Sequence, residues 1–191
     1  MNRKFLIAVG LFSVVWTSGC APTAEQQSAA ARKKFEAAID VQTKLPAKVE
    51  LTGEPYIKGK LAVFNKGKIA FHKGQERERD ANGKSFYVDS MYAHELEGIH
   101  AVSPEEIQTV ALVDCDMLTK GVYKTTDGRD LPAKVEDCEL TIIDRTREAV
   151  IFKRKFEKTP SPEQKIYGNS GAAYESAQQD IVQFLKNLPQ K

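Results

Sequence analysis

The chain has 191 residues, 41% of them hydrophobic, with 28 Lys plus Arg against 26 Asp plus Glu and a formal net charge of +2. This length supplies one core-forming domain and too little chain for two large ones. The near-balance of charge provides no field for nucleic acid or for an anionic membrane surface, which argues against both as electrostatic partners.

The chain opens with Arg3 and Lys4, continues with an apolar run over residues 5–16, and then places the small residues Thr17, Ser18 and Gly19 ahead of Cys20. That is the layout of a secretory signal peptide over residues 1–19. The apolar run is shorter than the roughly 20 residues a spanning helix needs, and no stop-transfer pattern follows it. Ser18, Gly19 and Cys20 resemble the lipobox of bacterial lipoproteins; Thr17 departs from it, standing where the family has Leu or another aliphatic residue. The resemblance implies lipidation of Cys20 as the first mature residue. The alternative is an ordinary signal peptide with Cys20 incidental. Ala21 in place of Asp is compatible with passage to the outer membrane, so the expected location is the bacterial envelope, anchored by lipid and facing the periplasm. Without Arg3 and Lys4 the mature chain balances at 26 basic and 26 acidic side chains.

Residues 20–31 are small and polar, a spacer between anchor and body, and residues 32–191 form the single expected domain. Up to Val41 the sequence favours helix, with Phe35, Ala38 and Ile39 on a narrow apolar face, until Pro46 ends it. Residues 48–72 predict short strands and turns. Ile57, Leu61 and Val63 alternate there against Lys58, Lys60 and Ala62, with Gly59 as a bulge or close approach and a hairpin turn over residues 65–68. Residues 73–84 contain almost nothing to bury and predict an exposed charged loop.

Residues 85–92 are strand-compatible. After them His94, Glu95, Glu97 and His100 gather potential metal ligands. The two histidines are six apart, which puts them on different faces of a helix and about 20 Å apart in a strand. Only a folded turn at Gly98, with His72 brought in, would unite them. Ser103, Pro104 and Glu106 have the order of a helix N-cap, a first-turn proline and a capping box.

The centre of the domain is expected at residues 109–117 and 138–156. Alternation places Ala111, Val113, Cys115 and Met117 on one face of the first strand and Cys138, Leu140 and Ile142 together on the second. Both cysteines can face one core, and export permits oxidation, so a Cys115–Cys138 disulfide is expected; a buried free pair is the alternative, and the spacing is far from Cys-x-x-Cys. With those two paired, lipidation accounts for the third cysteine. A turn over residues 144–147 predicts a hairpin whose return strand places Val150, Phe152 and Phe156 on one face and Ile151, Lys153 and Lys155 on the other. The basic run at residues 153–155 fits the solvated face of an edge strand better than a nucleic-acid patch. Asp114, Asp116 and Asp137 would cluster if the central strands pair, although strand-end carboxylates are usually solvated.

Residues 159–171 form a Pro- and Gly-containing loop. A last helix starting at Asn169 or Ser170 carries Tyr174, Ala177, Ile181, Phe184, Leu185 and Leu188 as an apolar stripe that packs on the sheet. The fold class is therefore α+β, an antiparallel or mixed sheet covered by a C-terminal amphipathic helix. Residues 103–189 resemble a recurrent module of bacterial proteins to which no activity is attached. No catalytic motif, phosphate loop, metal set or cofactor site stands out, so the expected role is non-enzymatic: interaction with an envelope protein, or structure. The competing roles are a metal-dependent hydrolase or other enzyme, which needs His72, His94 and His100 to converge, and a small-ligand carrier, which needs a closed apolar cavity.

Overall fold

The structure, a computed structural model, describes residues 24–51, 53–67, 80–81, 83–125, 128–162 and 175–191. Within them lie α1 (Ala24–Gln42), β1 (Lys48–Val49), β2 (Lys60–Gly67), β3 (Ser85–Val88), α2 (Ser90–Glu95), a 3-10 turn (Pro104–Glu106), β4 (Ile107–Lys124), β5 (Asp130–Asp144), β6 (Ala149–Phe156), β7 (Glu175–Ser176) and α3 (Gln178–Lys186). The strands form one mixed sheet in the order β1-β6-β5-β4-β2-β3, with β7 alongside β5. The α+β class holds, and α3 packs on the sheet as its apolar stripe requires.

Both faces of the sheet are covered. On one, Leu61, Val63, Ala111, Val113, Leu140 and Ile142 meet Tyr92 and Leu96 from the α2 region and Ile181, Val182 and Leu185 from α3. On the other, Ala62, Phe64, Val110, Leu112, Ile143 and Val150 meet Phe35 and Ile39 of α1. Hence Ala62 and Phe64, the intervening residues of β2, are as buried as Leu61 and Val63. The narrow face of α1 suffices because Phe35 and Ile39 sink fully and Arg145 closes the end, its Nη2 donating to the carbonyls of Gln42 and Lys44. The helix begins at Ala24, so part of the expected spacer is helical.

Several local expectations are corrected. The strand β2 runs through Asn65, Lys66 and Gly67, which pair with Tyr87, Phe86 and Ser85 of β3 instead of forming a hairpin turn. Asp89 ends β3 by accepting the Met91 amide at 2.9 Å, so residues 90–92 are helical and not strand. Ser103 caps the 3-10 turn without a side-chain hydrogen bond to a backbone amide of the turn, and Glu106 reaches back to the Val102 amide at 3.2 Å, so the capping box is incomplete. The last helix starts at Gln178, because Glu175 and Ser176 are held as a strand beside Val135 and Glu136; Asn169, Ser170 and Tyr174 lie outside the described residues.

The hairpin β5–β6 has the predicted turn but a different face pattern. A bulge opposite Ile142 and Ile143 shifts the register, so Val150 enters the α1-side core while Ile151, Phe152 and Phe156 join the α3 side. The turn is organised by buried Asp144, whose Oδ1 accepts from the Thr146 amide, the Thr146 hydroxyl and the Arg147 amide while Oδ2 accepts from the Tyr56 hydroxyl at 2.8 Å. Burial pushes its pKa up, but these donors outweigh burial and hold the carboxyl below the ordinary aspartate value. Gly59, with φ +55, fits its assigned role: a Cβ there would collide with the Gln108 side chain.

Candidate functional site

Two groups of side chains on the central strands combine chemistry with defined geometry, one on each face of the sheet. The first is built on the cysteines. In the β4–β5 ladder Cys115 stands directly opposite Cys138, and their sulfurs are 2.03 Å apart, at disulfide distance. The alternation of β5 puts Glu136 on the same face, and Cys115, Glu136 and Cys138 present one ligand atom each, all within 4.8 Å of one another. Cys138 is buried, whereas Cys115 and Glu136 are half-buried.

Glu136 is held from the next element. Its Oε2 accepts from the Ser176 hydroxyl at 2.5 Å and from Gln178 Nε2 at 3.2 Å, while its main-chain oxygen accepts the Ala177 amide at 3.1 Å. Thus one carboxylate fixes both β7 and the start of α3 beside the cysteines. Tyr92 belongs to the same core cluster; its fully buried hydroxyl has no hydrogen-bond partner among the described residues. Burial, together with the negative charges of Asp89 and Glu136, drives its pKa far above the ordinary tyrosine value. Chemically the cluster offers two sulfurs and an oriented carboxylate.

The second group gathers Asp114, Asp116 and Asp137 on the face of the sheet that α1 covers. Strand pairing sets Asp116 opposite Asp137 and Asp114 opposite Glu139, and like charges directly opposite repel. Lysines resolve the conflict. Lys84 Nζ lies 2.6 Å from Asp114 and 2.7 Å from Asp116, Lys66 lies 3.2 Å from Asp114, and Lys120 lies 2.5 Å from Asp137. Although burial disfavours its charge, Asp114 and Asp116 hold the Lys84 pKa above the usual lysine value. Asp137 is correspondingly depressed, first by Lys120 and then by the Lys158 amide. These carboxylates therefore serve as counter-ions that tie β2 and the start of β3 to the central strands. Lys84 is not a simple member of a solvated loop, since its side chain is only 12% exposed.

The histidines do not form a third group among the described residues. His94 is exposed on α2, whereas His100 is partly buried against Phe35, with ring centroids 6.0 Å apart and Nδ1 2.8 Å from the Ala101 carbonyl. Burial lowers the His100 pKa, favouring the neutral ring. Glu95 pairs with Lys186 at 3.1 Å, and Glu97 is exposed. His72 and Cys20 lie outside the described residues. The basic run on β6 is exposed as expected, with Arg154 stacked over Phe156 at 4.8 Å.

Comparison with protein-family models, curated proteins and solved structures gave no match. Sequence inspection singled out both cysteines and all three aspartates but passed over Glu136. Its signal was parity: two residues before Cys138 on a strand, it had to share that face.

Proposed function

We propose that the protein is a bacterial envelope lipoprotein, lipidated on Cys20 and facing the periplasm, whose folded body has an interaction or structural role. The observation that carries the anchoring is the order of Arg3-Lys4, the apolar run, and Thr17-Ser18-Gly19-Cys20. The shape of α1 is compatible with it. Ala29, Ala30, Lys33 and Lys34 are exposed, whereas Phe35 and Ile39 sink into the body. From Ala24 to Phe35 the helix rises about 16 Å, a stalk between a lipid at Cys20 and the sheet.

An interaction role is favoured by apolar exposure at one sheet edge. Val41 and Leu45, 73% and 55% exposed, line a cleft of about 360 Å³, and Val49 and Leu51 are exposed on and just beyond the adjoining edge strand β1. No helix among the described residues is long and apolar enough to cross a membrane, so attachment would rest on the lipid. Fractionation and metabolic labelling with a radioactive fatty acid test the anchor. The unaltered protein should label and sediment with membranes, whereas Cys20→Ala should do neither. Equal labelling of the two would refute it. Crosslinking in intact cells should then recover an envelope protein through the Val41–Leu51 edge, and Val49→Glu should abolish that capture.

A further inference from the structure

We infer that Cys115, Cys138 and Glu136 form a redox-gated site for a thiophilic divalent cation of the zinc class. The three ligand atoms already lie within 4.8 Å of one another. A tetrahedral zinc site with Zn–S bonds of about 2.3 Å separates two sulfurs by about 3.8 Å. Cys115 and Cys138 stand directly opposite one another on paired strands, with Cα atoms 4.0 Å apart, so both side chains reach one point between them.

Four features distinguish this cluster from a chance gathering. Its ligands stand on adjacent strands in fixed register, so reduction leaves both thiols facing each other. Glu136 is oriented by Ser176 and Gln178, the kind of outer support that metal-bound carboxylates use. Cys115 and Glu136 are half-buried, giving the ion a path and a fourth position for water. Two thiolates also select zinc-like or softer ions over calcium or magnesium, which prefer oxygen.

The gate is the disulfide itself. A dithiol reductant supplies two electrons and two protons, is oxidised to its own disulfide, and converts the Cys115–Cys138 bond into two thiols. Cation binding then releases both thiol protons to solvent and leaves two thiolates and one carboxylate around the ion. In the oxidised form each sulfur is bonded to the other and carries no negative charge, so only Glu136 remains as an anionic ligand. The cation site exists only after reduction, and a bound ion in turn protects the thiols from reoxidation.

Cobalt(II) provides the test, because thiolate coordination gives it a ligand-to-metal charge-transfer band. The full chain carrying Cys20→Ala is reduced with a phosphine and titrated with Co²⁺, followed by Zn²⁺. One equivalent should bind with a charge-transfer band that Zn²⁺ abolishes, and the oxidised protein should show no band. Glu136→Gln keeps both cysteines and should weaken binding at least about tenfold. Asp137→Asn, on the opposite face, should leave affinity unchanged. Circular dichroism checks that the reduced protein remains folded. Absence of the band, equal affinity of Glu136→Gln, or unfolding of the reduced chain with and without metal would each overturn the inference.

Discussion

Removing the Cys115–Cys138 bridge tests the centre of the fold. The cysteines are separated by 23 positions in sequence. Closing a loop of that size removes about 3 kcal/mol of chain entropy from the unfolded state. For a domain of this length, 1 kcal/mol moves the melting temperature by about 2–4 °C, so loss of the bridge should lower it by roughly 6–12 °C. The cleanest comparison is one sequence with and without reductant, in a Cys20→Ala background, since no packing atom is lost. Cys115→Ala and Cys138→Ala should each cost the full bridge term, and the double variant little more, because one cysteine suffices to abolish the loop. Reductant should not alter melting of the double variant. Differential scanning calorimetry in metal-free buffer provides the measurement. If oxidised, reduced and double-variant proteins all melt within about 1 °C of one another, the bridge is not restricting the unfolded chain as argued.

Asp144→Ala should destabilise the protein by roughly 2–3 kcal/mol in urea unfolding, because it removes the acceptor of the Tyr56 hydroxyl proton and undoes the β5–β6 turn. Since the folded pKa of Asp144 is depressed, its contribution is complete above the unfolded value of about 3.9 and fades as pH falls through the folded value. The Asp144→Ala variant should therefore lose less stability than the parent on acidification through that window; parallel curves would contradict the assignment. Ile39→Ala should cost about 2–4 kcal/mol, because Ile39 is 1% exposed beneath α1, and should speed proteolysis within that helix. A cost below about 1 kcal/mol would mean that α1 is held by its Arg145 cap and not by its apolar face.

Alternation was the strongest guide to the central strands. Ala111, Val113, Cys115, Cys138, Leu140 and Ile142 pack in one cluster, as period-two reasoning places them, because β4 and β5 pair without interruption across those positions. The same reasoning failed at Ile151 and Phe152, where one extra residue reverses the parity, and a bulge has no compositional mark there. Met117 shares the face of Cys115 yet is 47% exposed, because the β4–β5 hairpin continues past the helices that would cover it. Alternation assigns a side to a residue. It does not say whether anything lies on that side.

The same distinction explains why both sheet faces carry more chemistry than composition suggests. Asp114 and Asp116 flank Cys115, so strand geometry sends the acids to one face and the thiol to the other. What each face then becomes depends on distant chain: Lys66 and Lys84 neutralise the aspartates, while Ser176 and Gln178 grip Glu136 beside the cysteines. Those partners are 30 to 48 positions from their carboxylates and have no local pattern that marks them. Lysine contacts compensate the aspartates, each of the three having an ammonium within 3.2 Å. On the cysteine face the carboxylate is held by neutral donors, so its negative charge is oriented but not cancelled by those contacts. Of the two faces, this is the one whose local charge can serve an incoming cation once the sulfurs are reduced.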